Sequence, residues 1–138
     1  SSSAKQPNNN ARSPSFVSVA GWSQPDMGIS THILDTAIGR PAAGVTVTLS
    51  CRTEGSWHLI HEAVTDPDGR CKELLPPTST LQSGLYRIHF ETSAYYAQHY
   101  ENGLYPYIDI VFDVRNSEQH YHIPLLLTAN GYTTYRGT

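Results

Sequence analysis

The chain has 138 residues, of which 38% are hydrophobic and 15% charged, with a formal net charge of −3. That length supports one domain with its own core, and the mildly acidic balance offers no basic footprint for nucleic acid or an anionic membrane. No apolar run approaches the roughly 20 residues a bilayer span requires, and the two cysteines, Cys51 and Cys71, form no CxxC or CxxH pair; two free thiols are the preferred reading, with a single disulfide between them the alternative.

Residues 1–27, beginning SSSAKQPNNNARSPS, are rich in Ser, Asn and Pro and bury too little apolar surface to order themselves. They are expected to form a flexible N-terminal extension, with the short patch FVSVAGW (Phe16 to Trp22) as its one apolar stretch. The structured domain is placed at 28–138. From Gly28 the texture becomes that of an all-β domain, with Val, Ile, Thr and Tyr recurring between turn signals. STHILD opens it and TAIGRPAAG turns the chain. VTVTLSC then sets Val45, Val47, Leu49 and Cys51 against Thr46, Thr48 and Ser50, the period of a half-buried strand. WHLIHEAVT and CKELL flank the turn DPDGR, in which Pro67 fixes φ and Gly69 accepts a positive one. LYRIHFET and YPYIDIVFDV follow, separated by SAYYAQHYENG, whose start at Thr92 or Ser93 and end at Gly103 predict one short helix. QHYHIPLLLT and GYTTYRG close the chain across ANG, a tight hairpin signal. Eight strands and one helix fit a β-sandwich.

Alternation assigns faces. Tyr121, Ile123, Leu125 and Leu127 take the core side of their strand, leaving His120, His122, Pro124 and Leu126 on the other. Pro124 brings no N–H, so the ladder should be broken or exposed there. In the first strand Ser30, His32 and Leu34 share a face. In the last, Thr133, Tyr135 and Gly137 lie opposite Tyr132, Thr134 and Arg136. Adjacency of these three strands would bring His32, His122 and Tyr135 onto one surface, and a surface of His, Pro and Leu suits a cleft or an interface better than solvent.

Five segments in this order, STHILDTAIGRPAAGV, TDPDGRC, YPYIDIVF, QHYHIPLLL and the terminal YTTYRGT, resemble the 5-hydroxyisourate hydrolases, the transthyretin-related enzymes of urate degradation, over residues 29 to 138. The resemblance implies a transthyretin-like (prealbumin-like) sandwich of two four-stranded sheets. It also implies a homotetramer, a dimer of dimers, with active sites in a channel between subunits. The family's signature elements fall on His32, Arg70 and His122 as catalytic residues, and on Tyr135, Arg136, Gly137 and Thr138 around the substrate. Thr138 replaces the Ser usual at the end of the family's motif; it keeps a hydroxyl but adds β-branching.

The implied reaction opens the six-membered ring of an oxidised purine and yields 2-oxo-4-hydroxy-4-carboxy-5-ureidoimidazoline. It needs an activated water, for which a near-neutral imidazole is suited, and a stabilised oxyanion, for which a planar guanidinium is suited. Neither metal, cofactor nor covalent intermediate is required, and which histidine is the base stays open. His120 is read as a supporting or interfacial residue. His58, His61, His89 and His99 are given no role, and Asp109 and Asp113 are read as an exposed strand face. Two rival readings stand beside this one. A carrier of the thyroid-hormone-binding type would share the fold, although it lacks the histidine pair and the YRG ending. A zinc site would use the HxH of His120 and His122 with His32. The sequence does not separate a cytoplasmic from a peroxisomal location.

Overall fold

Strands that bury one face and wet the other must pair two sheets across a shared core, and the apolar alternation along this chain does so. The computed structural model describes residues 28–99 and 102–137. The predicted N-terminal extension over 1–27, with its FVSVAGW patch, and the terminal Thr138 lie outside the described residues.

In chain order the elements are β1 (Gly28–Asp35), β2 (Arg40–Pro41), β3 (Thr46–Thr53), β4 (Ser56–Val64), β5 (Arg70–Cys71), β6 (Gly84–Glu91), α1 (Ser93–His99), β7 (Ile108–Val114), β8 (His120–Leu127) and β9 (Tyr132–Thr134). One sheet runs β4-β3-β6-β7, all antiparallel. The other runs β2-β1-β8-β9, with β5 also paired to β1. Because β8 takes one side of β1 along its whole length, β5 (at Thr31 and His32) and β2 (at Leu34 and Asp35) share the other side. The second sheet is thus four strands wide with a divided edge, the two-sheet sandwich expected.

Two local expectations are corrected. CKELL is not a strand: β5 pairs only at Arg70 and Cys71, after which the chain turns. Leu74 and Leu75 are both buried although adjacent, which a turn permits and a period of two does not. Conversely, Arg40–Pro41, read as turn, makes a two-residue pairing with β1. The helix begins as predicted, with Thr92 O accepting from Tyr96 N. The Thr92 hydroxyl, however, donates to Tyr105 O rather than capping the helix. Among the described residues no helix is long and apolar enough to cross a membrane, and Cys51 and Cys71 are both free.

The core lies between the sheets. Ile29 and Ile33 of β1 and Ile123, Leu125 and Leu127 of β8 meet Val47, Leu49, Ile88, Phe90, Ile108 and Val114 of the opposing sheet. Thr65 ties the loop before β3 to the end of β4: its hydroxyl accepts from Val45 N at 2.9 Å and donates to Ala42 O at 2.8 Å, all three residues being buried. Thr65→Val keeps the shape and removes both bonds, leaving a sealed donor and a sealed acceptor. Each such orphan costs about 1–3 kcal/mol, so urea unfolding is expected to show a loss of at least about 2 kcal/mol with an unchanged m-value.

Candidate active site

The parallel pairing of β1 with β8 sets Ser30 against His122, Gly28 against His120 and His32 against Pro124. On the far side of β1, Arg70 stands opposite His32. His32, Arg70 and His122 therefore reach one sheet face from three strands. The adjacency assumed from the sequence is present, although β8 lies between β1 and β9.

Arg70 owes its place to the DPDGR turn. Asp66 Oδ1 accepts from Asp68 N and Arg70 N, both at 2.9 Å, and Asp66 O accepts from Gly69 N. Gly69 has φ +74°, and a Cβ there would stand 2.5 Å from Ile33 O. That carbonyl is already engaged, accepting from Ala42 N at 2.9 Å, and Gly69 O in turn accepts from Ile33 N at 2.8 Å. Only glycine allows the turn to press this closely on β1, and that contact registers Arg70 across from His32.

The C-terminal segment reaches the site after a gap in its ladder. Gly137 N donates to His122 O, so the even-numbered residues of β8 direct their backbone groups toward β9. Pro124 falls in that series without an N–H. Regular pairing accordingly stops at Thr134, whose hydroxyl donates to Pro124 O at 2.8 Å, and returns as a single bridge at Gly137. A Cβ on Gly137 would lie 2.7 Å from His122 Cδ2 and 3.3 Å from Pro124 Cγ; the missing side chain makes room for the imidazole. Tyr135, on the His122 face by alternation, is 54% exposed. Arg136 turns the other way: its guanidinium sits 4.2 Å over the Tyr121 ring and donates to Gln119 Oε1 and His120 O.

One participant does not stand out in the sequence. Ser30 Oγ lies 2.7 Å from His122 Nδ1 and 2.8 Å from His120 Nε2, joining the two imidazoles. Its face is legible, because alternation groups it with His32, but the register that points it at both rings is not. The same bonds bear on the zinc reading. They direct one nitrogen of each HxH ring at a hydroxyl rather than at a common ligand position, and no group of three or more metal-ligating side chains forms among the described residues.

Electrostatics favour neutral rings here. Burial lowers the His122 pKa first, with further lowering from His120, His32 and Arg70; burial alone lowers that of His120. His89, on the outer face of the other sheet, shows the opposite. Burial opposes its charged form, but hydrogen bonds to Glu91 and Asp109 and their charges outweigh it and raise the pKa.

A family model described as HIUase/Transthyretin matches residues 29–137. The chain belongs to that family. It is 41% identical to the mouse 5-hydroxyisourate hydrolase, over 80% of this chain and 94% of that protein. Among solved structures, the 5-hydroxyisourate hydrolase of Klebsiella pneumoniae superposes with a TM-score of 0.70 at 36% identity, covering 81% of this chain and 99% of the other. Sea bream transthyretin in complex with thyroxine gives 0.74 at 31%, covering 80% and 94%. The family thus holds proteins named as hydrolases and a protein solved with a bound hormone, on one sandwich.

Two measurements check the site. In histidine-selective NMR, His120 and His122 are expected to titrate below the ordinary value of about 6.5 and His89 above it. A lowered folded pKa means that the unfolded chain binds more protons as pH falls, so His120 and His122 withdraw stability below about pH 6.5. His89 contributes stability in acid that is lost as pH rises through its raised pKa. Gly137→Ala is expected to cost about 1–3 kcal/mol through overpacking and to shift the His122 ring resonances while leaving those of His89 in place.

Proposed function

We propose that this chain hydrolyses 5-hydroxyisourate to 2-oxo-4-hydroxy-4-carboxy-5-ureidoimidazoline in urate degradation. The observation that carries the reading is the meeting of His32, Arg70 and His122 on one face of β5-β1-β8, in a chain 41% identical to a protein named for that activity.

A neutral imidazole is the form able to take a proton from water, and the lowered pKa of His122 keeps that form at neutral pH. In the proposed reaction the water oxygen attacks the acyl carbon attached to ring nitrogen, and its proton passes to the histidine pair, His32 and His122. Arg70 supplies fixed positive charge to the oxygen that becomes an oxyanion. The carbon–nitrogen bond then breaks, and the leaving nitrogen recovers a proton from the pair. Tyr135, on the histidine face, and Gly137, which leaves room beside the His122 ring, shape the substrate's surroundings, and the terminal Thr138 is assigned to the substrate with them. Arg136, turned over Tyr121, holds the terminal segment in place instead of lining the substrate. All these roles fall to ionisable side chains and backbone, without a cofactor.

The candidate face also suggests why an assembly is needed. Arg70 and Tyr135 are exposed, and a hollow lined by Leu75, Pro76, Ser79 and Leu81 includes none of the candidate residues. A second subunit laid over the face would convert it into a closed cleft, and the assembly proposed is a homotetramer, a dimer of dimers. Carriage of a thyroid-hormone-like molecule is the second reading, favoured by the likeness to sea bream transthyretin. The histidine pair distinguishes the two, since a carrier has no use for a base.

The substrate decays unaided, so urate oxidase should generate it in the cuvette while its ultraviolet absorbance is followed with and without this protein. Accelerated decay is expected, with His122→Asn and Arg70→Glu each slower by at least about 100-fold, the size of a general base or an oxyanion partner. Decay at the spontaneous rate together with thyroxine binding would favour the carrier instead. Turnover within a few-fold of wild type in either variant would overturn the residue assignment.

A further inference from the structure

We propose that Ser30 is a positioning residue that couples His122 to His120 as one proton relay; the proposal rests on His122 acting in the hydrolysis above. Ser30 is 7% exposed and its Oγ is within hydrogen-bond distance of both rings, at His122 Nδ1 (2.7 Å) and His120 Nε2 (2.8 Å). A hydroxyl has one proton, so it donates to one ring and accepts from the other. The two imidazoles are thereby held in linked tautomers, and two settings exist.

In the first setting Ser30 donates to His122 Nδ1 and accepts from His120 Nε2–H. His122 then carries its proton on Nε2 and serves as a donor. In the second, His122 Nδ1–H donates to Ser30, and Ser30 donates to His120 Nε2. His122 Nε2 is then a free lone pair, the state a base needs. Its surroundings suit that role, since among the described residues it has no hydrogen-bond partner and it is not sealed from solvent. The second setting puts the His120 proton on Nδ1, which is buried without a partner. An orphaned buried N–H is tolerated less well than an orphaned lone pair, so the donor setting is the resting one and the base setting lies above it.

Proton transfer through the pair balances. As His122 Nε2 gains a proton from the attacking water, Nδ1–H breaks and Oγ–H forms. The former Ser30 proton passes to His120 Nε2, and the positive charge rests on His120. His122 is left neutral with Nε2–H, ready to protonate the leaving nitrogen while the relay runs back. The ring is thus refilled as an acid without passing through bulk water. The groups facing it are His32 and Ser30 from β1, Arg70 from β5, His120 from its own strand and Tyr135 after β9.

A double-mutant cycle of Ser30→Ala and His120→Gln in the hydroxyisourate assay tests the relay, with Ser30→Thr as the variant that retains the hydroxyl. Ser30→Ala is expected to lower kcat about 10- to 100-fold with KM little changed. It should also move the acid limb of the pH profile, while Ser30→Thr restores most of the rate. The double variant should be no slower than the slower single one, as members of one relay are not additive. Multiplying effects, or a Ser30→Ala loss confined to KM, would overturn the proposal. ¹⁵N histidine shifts supply a readout independent of turnover: Ser30→Ala should change the tautomers of both rings together. Coupled tautomers in a protein without turnover would defeat the hydrolase reading and leave the link standing, whereas turnover with uncoupled tautomers would defeat the link alone.

Discussion

The pairing of β1 with β8 joins residues 28–35 to residues 120–127 in parallel, eight partners in register. Parallel strands cannot be joined by a tight turn and need a long crossover, and here the crossover carries the whole opposing sheet, the helix and the two short edge strands β2 and β5. On the inner side the register brings Ile29 and Ile33 beside Tyr121, Ile123 and Leu125, all buried. On the outer side it brings Ser30 to His122. The Thr31 hydroxyl donates to Ile123 O at 2.6 Å and adds a side-chain clasp to the ladder. A slip of one residue would turn the imidazoles toward the core and the isoleucines out. The apolar half of each strand thus enforces the register that sets Ser30 against His122 on the polar half.

Two residues normally regarded as sheet punctuation position the rest of the site. Gly69 allows the turn to touch β1, and Arg70 follows it into the divided edge. Pro124 interrupts the β8–β9 ladder, so the chain leaves the sheet at Tyr135 and Arg136 and returns at Gly137. In that interval the two side chains part: Tyr135 stays on the histidine face, and Arg136 lies over Tyr121. The YRG ending therefore acts at three places, a ring on the open face, a cation over Tyr121 and a gap beside His122.

What the sequence made legible follows the strength of its periodic signals. Long alternating runs gave the faces of β3 and β8 correctly, and ANG gave the hairpin, closed by Thr128 N donating to Gly131 O. β2 and β5 escaped because a two-residue pairing is shorter than any period that could reveal it, and CKELL misled because its buried leucines sit in a turn. His32, Arg70 and His122 share a face as the motifs implied. Ser30 stayed hidden because its position depends on a contact 92 residues away in sequence, and no local pattern encodes the register of a parallel pair. Small polar residues two positions from a motif histidine, on the same strand face, are the signal that would have found it.

The contrast between His89 and His122 shows why a strand histidine becomes chemically useful. Both lie on outer sheet faces, and both are hydrogen-bonded. His89 has each nitrogen committed to a carboxylate, Asp109 at 2.6 Å and Glu91 at 3.1 Å, and those anions favour the protonated ring. A base so placed is already filled. His122 has one nitrogen held by a neutral hydroxyl and has the positive Arg70 and two further imidazoles nearby, which disfavour its protonated form. No carboxylate is among the groups acting on it, so nothing fixes it as a permanent cation. A serine in place of an aspartate orients the ring without charging it, at the expense of the electrostatic help a carboxylate gives once the imidazolium forms. His120, buried and without a carboxylate acting on it either, can receive that charge only transiently. Such an arrangement favours rapid return of the proton over its storage, as a hydrolysis that must reprotonate its leaving nitrogen requires.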